Sequence, residues 1–117
     1  MTRSQALVLW TISIVGLIAA SIIPSLSPPS AHHLDLLIHF GVYVVLAALP
    51  AALLERLRVV IALGVLLAGV GLVIEMAQSY VPGRSSSELD LIANCLGILL
   101  GLAVGRLLRR YIGLRAL

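Results

Sequence analysis

Apolar residues fill four stretches of the chain, approximately 6–23, 36–54, 59–81 and 89–108, separated by short polar segments. Each is close to the ~20 residues an α-helix needs to cross a hydrocarbon core. The pattern therefore predicts four transmembrane helices. The first stretch, led by Arg3 and followed by the small residues Ala19, Ala20 and Ser21, also has the form of a secretory signal peptide. Its apolar run is longer than a usual signal core and three more follow, so it reads as an uncleaved span.

The breaks between the stretches are equally informative. Pro24-Ser25-Leu26-Ser27-Pro28-Pro29-Ser30 is a loop by composition, after which Asp35 can cap the second helix. His32 and His33 fall in that wet loop and read as surface residues. Pro50 lies in the last turn and a half of the second helix, and Glu55-Arg56-Leu57-Arg58 leaves room only for a tight turn, making helices two and three an antiparallel hairpin. Pro82-Gly83 stops the third helix, and Ser85-Ser86-Ser87 starts the fourth, where Ser87 and Asp90 fit a capping box. Gly97, Gly101 and Gly105 recur every four residues, a stripe that lets a second helix backbone approach closely.

Composition sharpens this picture. Of 117 residues, 61% are hydrophobic and 11% charged, with a mean hydropathy of +1.14, more apolar than a soluble domain of this size can hide. The expected fold is an all-α membrane protein, a single domain over 1–117 built as a four-helix transmembrane bundle in a cell membrane. The net charge of +3 comes from eight basic residues, all Arg, placed at helix ends without interleaved aromatics, which speaks for membrane orientation and against nucleic acid. Arg3, Arg56, Arg58, Arg106, Arg109, Arg110 and Arg115 fall on one side and Arg84 alone on the other, so both termini are expected in the cytoplasm. Cys95, the single cysteine, excludes an intramolecular disulfide and reads as a small apolar filler.

Against this apolar background the polar residues stand out. Asp35 and His39, Glu75 and Gln78, and Asp90 and Asn94 each pair along one helical face, and with Arg84 all seven groups fall on the outer side of such a bundle. Glu75 lies seven residues before Pro82, roughly 10 Å below the expected helix end at ~1.5 Å per residue. A charged residue at the bilayer centre costs on the order of 2.5–3.5 kcal/mol on insertion scales, so such a carboxylate needs a partner, and Arg84 and His39 are the natural ones. Structural readings stand beside the functional ones: Asp35 and Asp90 as helix caps, Asn94 and Gln78 as interhelical hydrogen-bonding groups. A divalent metal fits the chemistry of these groups but no dedicated ligand spacing is present, so cofactor and metal stay open. Phosphate-cradling glycine loops, a serine nucleophile elbow and the metalloprotease His-Glu-x-x-His pattern are absent from the sequence.

The run Glu75-Met76-Ala77-Gln78-Ser79-Tyr80-Val81-Pro82-Gly83-Arg84, followed by Asp90, Asn94 and Gly97, resembles the signature of the VanZ family of small bacterial membrane proteins. Asp35, His39 and Phe40 resemble that family's other motif, and together they cover helices two to four. One departure is Leu36, where the family pattern often carries Lys. The family is named for low-level teicoplanin resistance and has been related to membrane enzymes that process phosphate-containing lipid head groups. The resemblance implies a site in which Arg84 holds phosphate, and Glu75, His39 and Asp90 supply acid or base. Gln78, Asn94 and Asp35 would orient substrate. Its implied partners are membrane lipids and lipid-linked wall precursors, with a homo-oligomer left open. The rival expectation is a non-catalytic protein that binds or shields envelope precursors or stabilises a partner.

Overall fold

The computed structural model describes residues 2–22, 32–80 and 88–112. They form four helices: α1 (Arg3–Ile22), α2 (His32–Leu53), α3 (Leu57–Gln78) and α4 (Glu88–Ile112). Three contain stretches long and apolar enough to cross a membrane, Leu36–Leu53, Leu57–Ala77 and Glu88–Tyr111, with mean hydropathies of 2.2, 2.6 and 2.0. The described apolar part of α1, Arg3–Ala19, is shorter. The molecule is 45 Å long, close to the ~40–45 Å of a bilayer with its head groups.

The seam between α2 and α4 organises the bundle. One helix intervenes between them, so they run in the same direction. A Cβ on Gly97 would lie 2.7 Å from the Phe40 carbonyl oxygen, and one on Gly101 or Gly105 would collide with the carbonyl oxygens of Val44 and Ala48. Each pairing advances four residues along both helices, which is the register a small-residue stripe demands. On α2, Ala47 and Ala51 meet the same glycines, so both backbones contribute small side chains to the approach.

A core of Trp10, Ile14, Tyr43, Leu46, Ala47, Leu67 and Ile98 draws on all four helices. Pro50 lies inside α2 and has no N–H to give the Leu46 carbonyl, and the Trp10 indole N–H donates to that oxygen at 2.7 Å instead. At the end of α2, Arg106 donates to the carbonyl oxygens of Leu54 (3.1 Å) and Glu55 (3.3 Å), and Arg109 to that of Ala52 (3.0 Å). These are carbonyls a helix C-terminus leaves without intrahelical partners. Two arginines that read as orientation signals thus also hold the α2–α3 turn.

Helix ends depart from the hydropathy reading. α2 begins at His32, so Asp35 falls within the helix and not at its N-cap position, and His32 and His33 belong to its first turn, not to a loop. Hydropathy marks the membrane-embedded part of a helix, and polar residues without Gly or Pro let it continue beyond. α3 ends earlier than expected, at Gln78: the Ser79 N–H reaches the Glu75 carbonyl at 3.3 Å and the Tyr80 N–H the Ala77 carbonyl at 3.1 Å, closing the last turn. α4 runs to Ile112, past the expected limit of 108, and carries Arg106, Arg109 and Arg110 on the helix itself. Cys95 is exposed on α4 and fills no gap between helices. The proline-rich loop, Arg84 and Ser87 lie outside the described residues.

Candidate functional site

Polar side chains gather where the α2–α4 seam meets α3, at the end of the bundle away from the α2–α3 turn. His39 and Tyr43 stand one turn apart on α2, and Asp90 and Asn94 one turn apart on α4, so each pair shares a face. Asn94 precedes Gly97, and His39 precedes Phe40, whose carbonyl oxygen faces Gly97. The close approach enforced by the glycines therefore brings the two polar pairs together. His39 Nδ1 lies 3.1 Å from Asn94 Oδ1.

α3 closes the cluster from the third side. A Cβ on Gly71 would sit 3.0 Å from Tyr43 Oη and 3.2 Å from Asn94 Nδ2, so both polar atoms converge on the bare backbone of that residue. Glu75 follows one turn later on the same face and is within electrostatic range of the Tyr43 phenol. Exposure falls to 7% at Glu75, 4% at Asp90 and 1% at Asn94. Ionisable groups are seldom retained inside a helical membrane bundle unless they face protein or water and serve a function. The depth of Glu75 differs from expectation: three residues before the last residue of α3 it is about 4.5 Å from that end at ~1.5 Å per residue. The closure of α3 by Ser79 and Tyr80 therefore sets Glu75 in the last turn of its helix.

Of the seven residues singled out in the sequence, the structure joins His39 directly to Asn94 and buries Glu75 and Asp90 around them. The backbones of Asp35 and Gln78 lie in the first turn of α2 and at the end of α3, but their side chains, and all of Arg84, lie outside the described residues. Sequence reasoning missed Tyr43 and Gly71. Tyr43 continues the four-residue series from Asp35 through His39 and was findable on that ground. Gly71 carries no such signal, since glycine is frequent in membrane helices. Among the described residues no group of three His, Cys, Asp or Glu is placed to hold a metal ion.

An apolar groove of about 370 Å³ runs between α1 and α3, lined by Ile18, Leu66, Gly69, Val70, Val73, Ile74 and Ala77. At ~100° per residue most of these positions lie roughly half a turn around α3 from Glu75. The groove is therefore separate from the polar cluster.

These features define a class: a helical membrane protein whose buried ionisable and amide groups form a three-helix cluster at one end of the bundle. Within it the chain belongs to the VanZ family, since the VanZ/LLP1 family model matches residues 5–109, α1 included. No curated protein and no solved structure matches the chain.

Proposed function

We propose that this protein is a four-span protein of the bacterial cell membrane, with both termini cytoplasmic, whose polar cluster acts on phosphate-containing or lipid-linked envelope precursors at the extracytoplasmic face. The observation that carries this reading is the 3.1 Å contact between His39 Nδ1 and Asn94 Oδ1 beside the buried carboxyl groups of Glu75 and Asp90. An imidazole and two carboxyl groups at head-group depth form an acid–base set. His39 or Glu75 takes the proton of a water or hydroxyl attacking phosphorus, and a protonated neighbour, for which Asp90 is the candidate, returns one to the leaving oxygen. Arg84 is assigned the phosphate by its place in the motif, with Gln78, Asn94 and Asp35 orienting the substrate.

The experiment incubates purified protein with polyprenyl phosphates and glycerophospholipids, with and without divalent metal, and identifies products and bound lipid by mass spectrometry. Product formation that is lost in His39→Gln and Glu75→Gln supports the enzyme. Retention of a lipid without turnover, unchanged by Glu75→Gln, favours the second reading: a binder or shield of precursors in which Asn94, 1% exposed and in contact with His39, is interhelical glue.

A further inference from the structure

We infer that Asn94 is a positioning residue that holds His39 in its Nδ1–H tautomer and thereby presents Nε2 as the basic nitrogen of the site. The inference deepens the reading of His39 as the acid–base group and rests on it. An amide oxygen accepts hydrogen bonds and cannot donate them. With Asn94 Oδ1 at 3.1 Å from His39 Nδ1, the proton in that contact belongs to the imidazole. The lone pair of the neutral ring is then on Nε2, the nitrogen directed away from α4's amide.

The amide has two orientations, and its surroundings choose between them. Its Nδ2 end faces Gly71, whose Cβ position lies 3.2 Å away, and Glu75 stands one turn further along the same face of α3. A carboxylate on that side attracts an N–H donor and repels a carbonyl oxygen. The reversed amide would turn its oxygen toward the Glu75 face and its NH₂ toward His39, fixing the opposite tautomer. Asn94 is 1% exposed, and Nδ2 has no hydrogen-bond partner among the described residues. A buried donor at that place is available to a water or a substrate oxygen. The amide thus meets Gly71 with its NH₂ end and the His39 ring with its oxygen end. A neutral amide fixes the ring without adding a third carboxylate to a buried site.

The test is the ¹⁵N spectrum of histidine-labelled full-length protein in nanodiscs, at a pH where the ring is neutral, with the His39 signals assigned by their loss in His39→Gln. The expected spectrum has a protonated, pyrrole-type Nδ1 and an unprotonated, pyridine-type Nε2. Asn94→Asp keeps an acceptor and should keep that pattern, whereas Asn94→Leu should shift the proton to Nε2. A wild-type spectrum with the proton on Nε2 overturns the inference even if neither variant folds, and so does an Asn94→Leu spectrum indistinguishable from wild type. The spectrum needs no substrate. Its failure therefore counts against the positioning role, whereas failure of turnover in the lipid incubation counts against the proposed activity.

Discussion

The indole N–H of Trp10 on α1 donates at 2.7 Å to the carbonyl oxygen of Leu46 on α2, the acceptor that Pro50 leaves without its helical donor. A buried carbonyl deprived of a partner costs about 1–3 kcal/mol, and in lipid no water replaces the lost bond. Trp10→Phe should therefore destabilise the protein by about that amount in addition to the loss of ring volume. In a Pro50→Ala background, where residue 50 supplies its own N–H, the same change should cost measurably less. A double-mutant cycle of thermal unfolding in detergent reads the difference. Strict additivity would mean that the Trp10 bond does not compensate for the proline.

The glycine stripe makes a graded prediction. Alanine at Gly101 or Gly105 would place its Cβ against a carbonyl oxygen of α2, whereas at Gly69 a Cβ meets nothing within 4 Å. Gly101→Ala should sharply reduce the yield of folded protein, because two backbones in van der Waals contact cannot both stay in place. Gly69→Ala should leave stability unchanged or raise it by about 0.5–1 kcal/mol through helix propensity. Equal stability of the two variants would show that the α2–α4 seam is looser than the approach of Gly101 and Gly105 to the α2 carbonyls implies.

Much of this was legible in the sequence because lipid imposes a simple rule: a span must be apolar and about 20 residues long. The four helices, the hairpin around Glu55 and the role of the Gly97–Gly101–Gly105 stripe follow from that rule and from residue size. Helix ends were not legible, since hydropathy is blind to a helix that continues into polar sequence, as α2 does at His32. Nor does hydropathy reveal the premature closure of α3 at Ser79, which rests on individual hydrogen bonds. The candidate site was visible as pairs three or four residues apart, yet which residues meet depends on the register of α2 against α4. That register joins His39 to Asn94 and recruits Tyr43, which the sequence alone did not mark.

Arg106 and Arg109 carry two separable duties. As donors to the carbonyl oxygens of Ala52, Leu54 and Glu55 they hold the end of α2; in the proposed orientation they are also part of the positive charge that keeps the C-terminus in the cytoplasm. Arg106→Gln should cost about 1.5–3 kcal/mol, the range for hydrogen bonds to charged groups. Arg110, which lies over the Tyr111 ring at 5.9 Å, should be replaceable by Gln at under about 0.5 kcal/mol. Reporters fused to either terminus should report cytoplasm in the wild type and in Arg106→Gln alike, because the remaining arginines preserve the bias. A C-terminal reporter found outside would remove the extracytoplasmic placement of the polar cluster.

Gly71 offers a way to perturb the cluster without deleting any polar group. A methyl there would lie 3.0 Å from Tyr43 Oη and 3.2 Å from Asn94 Nδ2, so both must give way by a few tenths of an ångström. The backbone gains helix propensity, about 0.5–1 kcal/mol from Gly to Ala, which offsets part of the strain. Gly71→Ala should therefore fold with a thermal midpoint near that of the wild type, while its lipid turnover, or lipid retention if the protein is a binder, falls at least tenfold. A tenfold loss corresponds to about 1.4 kcal/mol, a change that a displaced amide or phenol readily supplies. Glu75→Gln separates the two roles further, because it keeps size and hydrogen bonding but removes the charge: turnover is lost in an enzyme, and retention persists in a binder. If Gly71→Ala is both as stable and as active as the wild type, the convergence of Tyr43 and Asn94 on α3 has no part in function. Asp35 and Arg84, singled out by the sequence, would then be the next residues to test for the site.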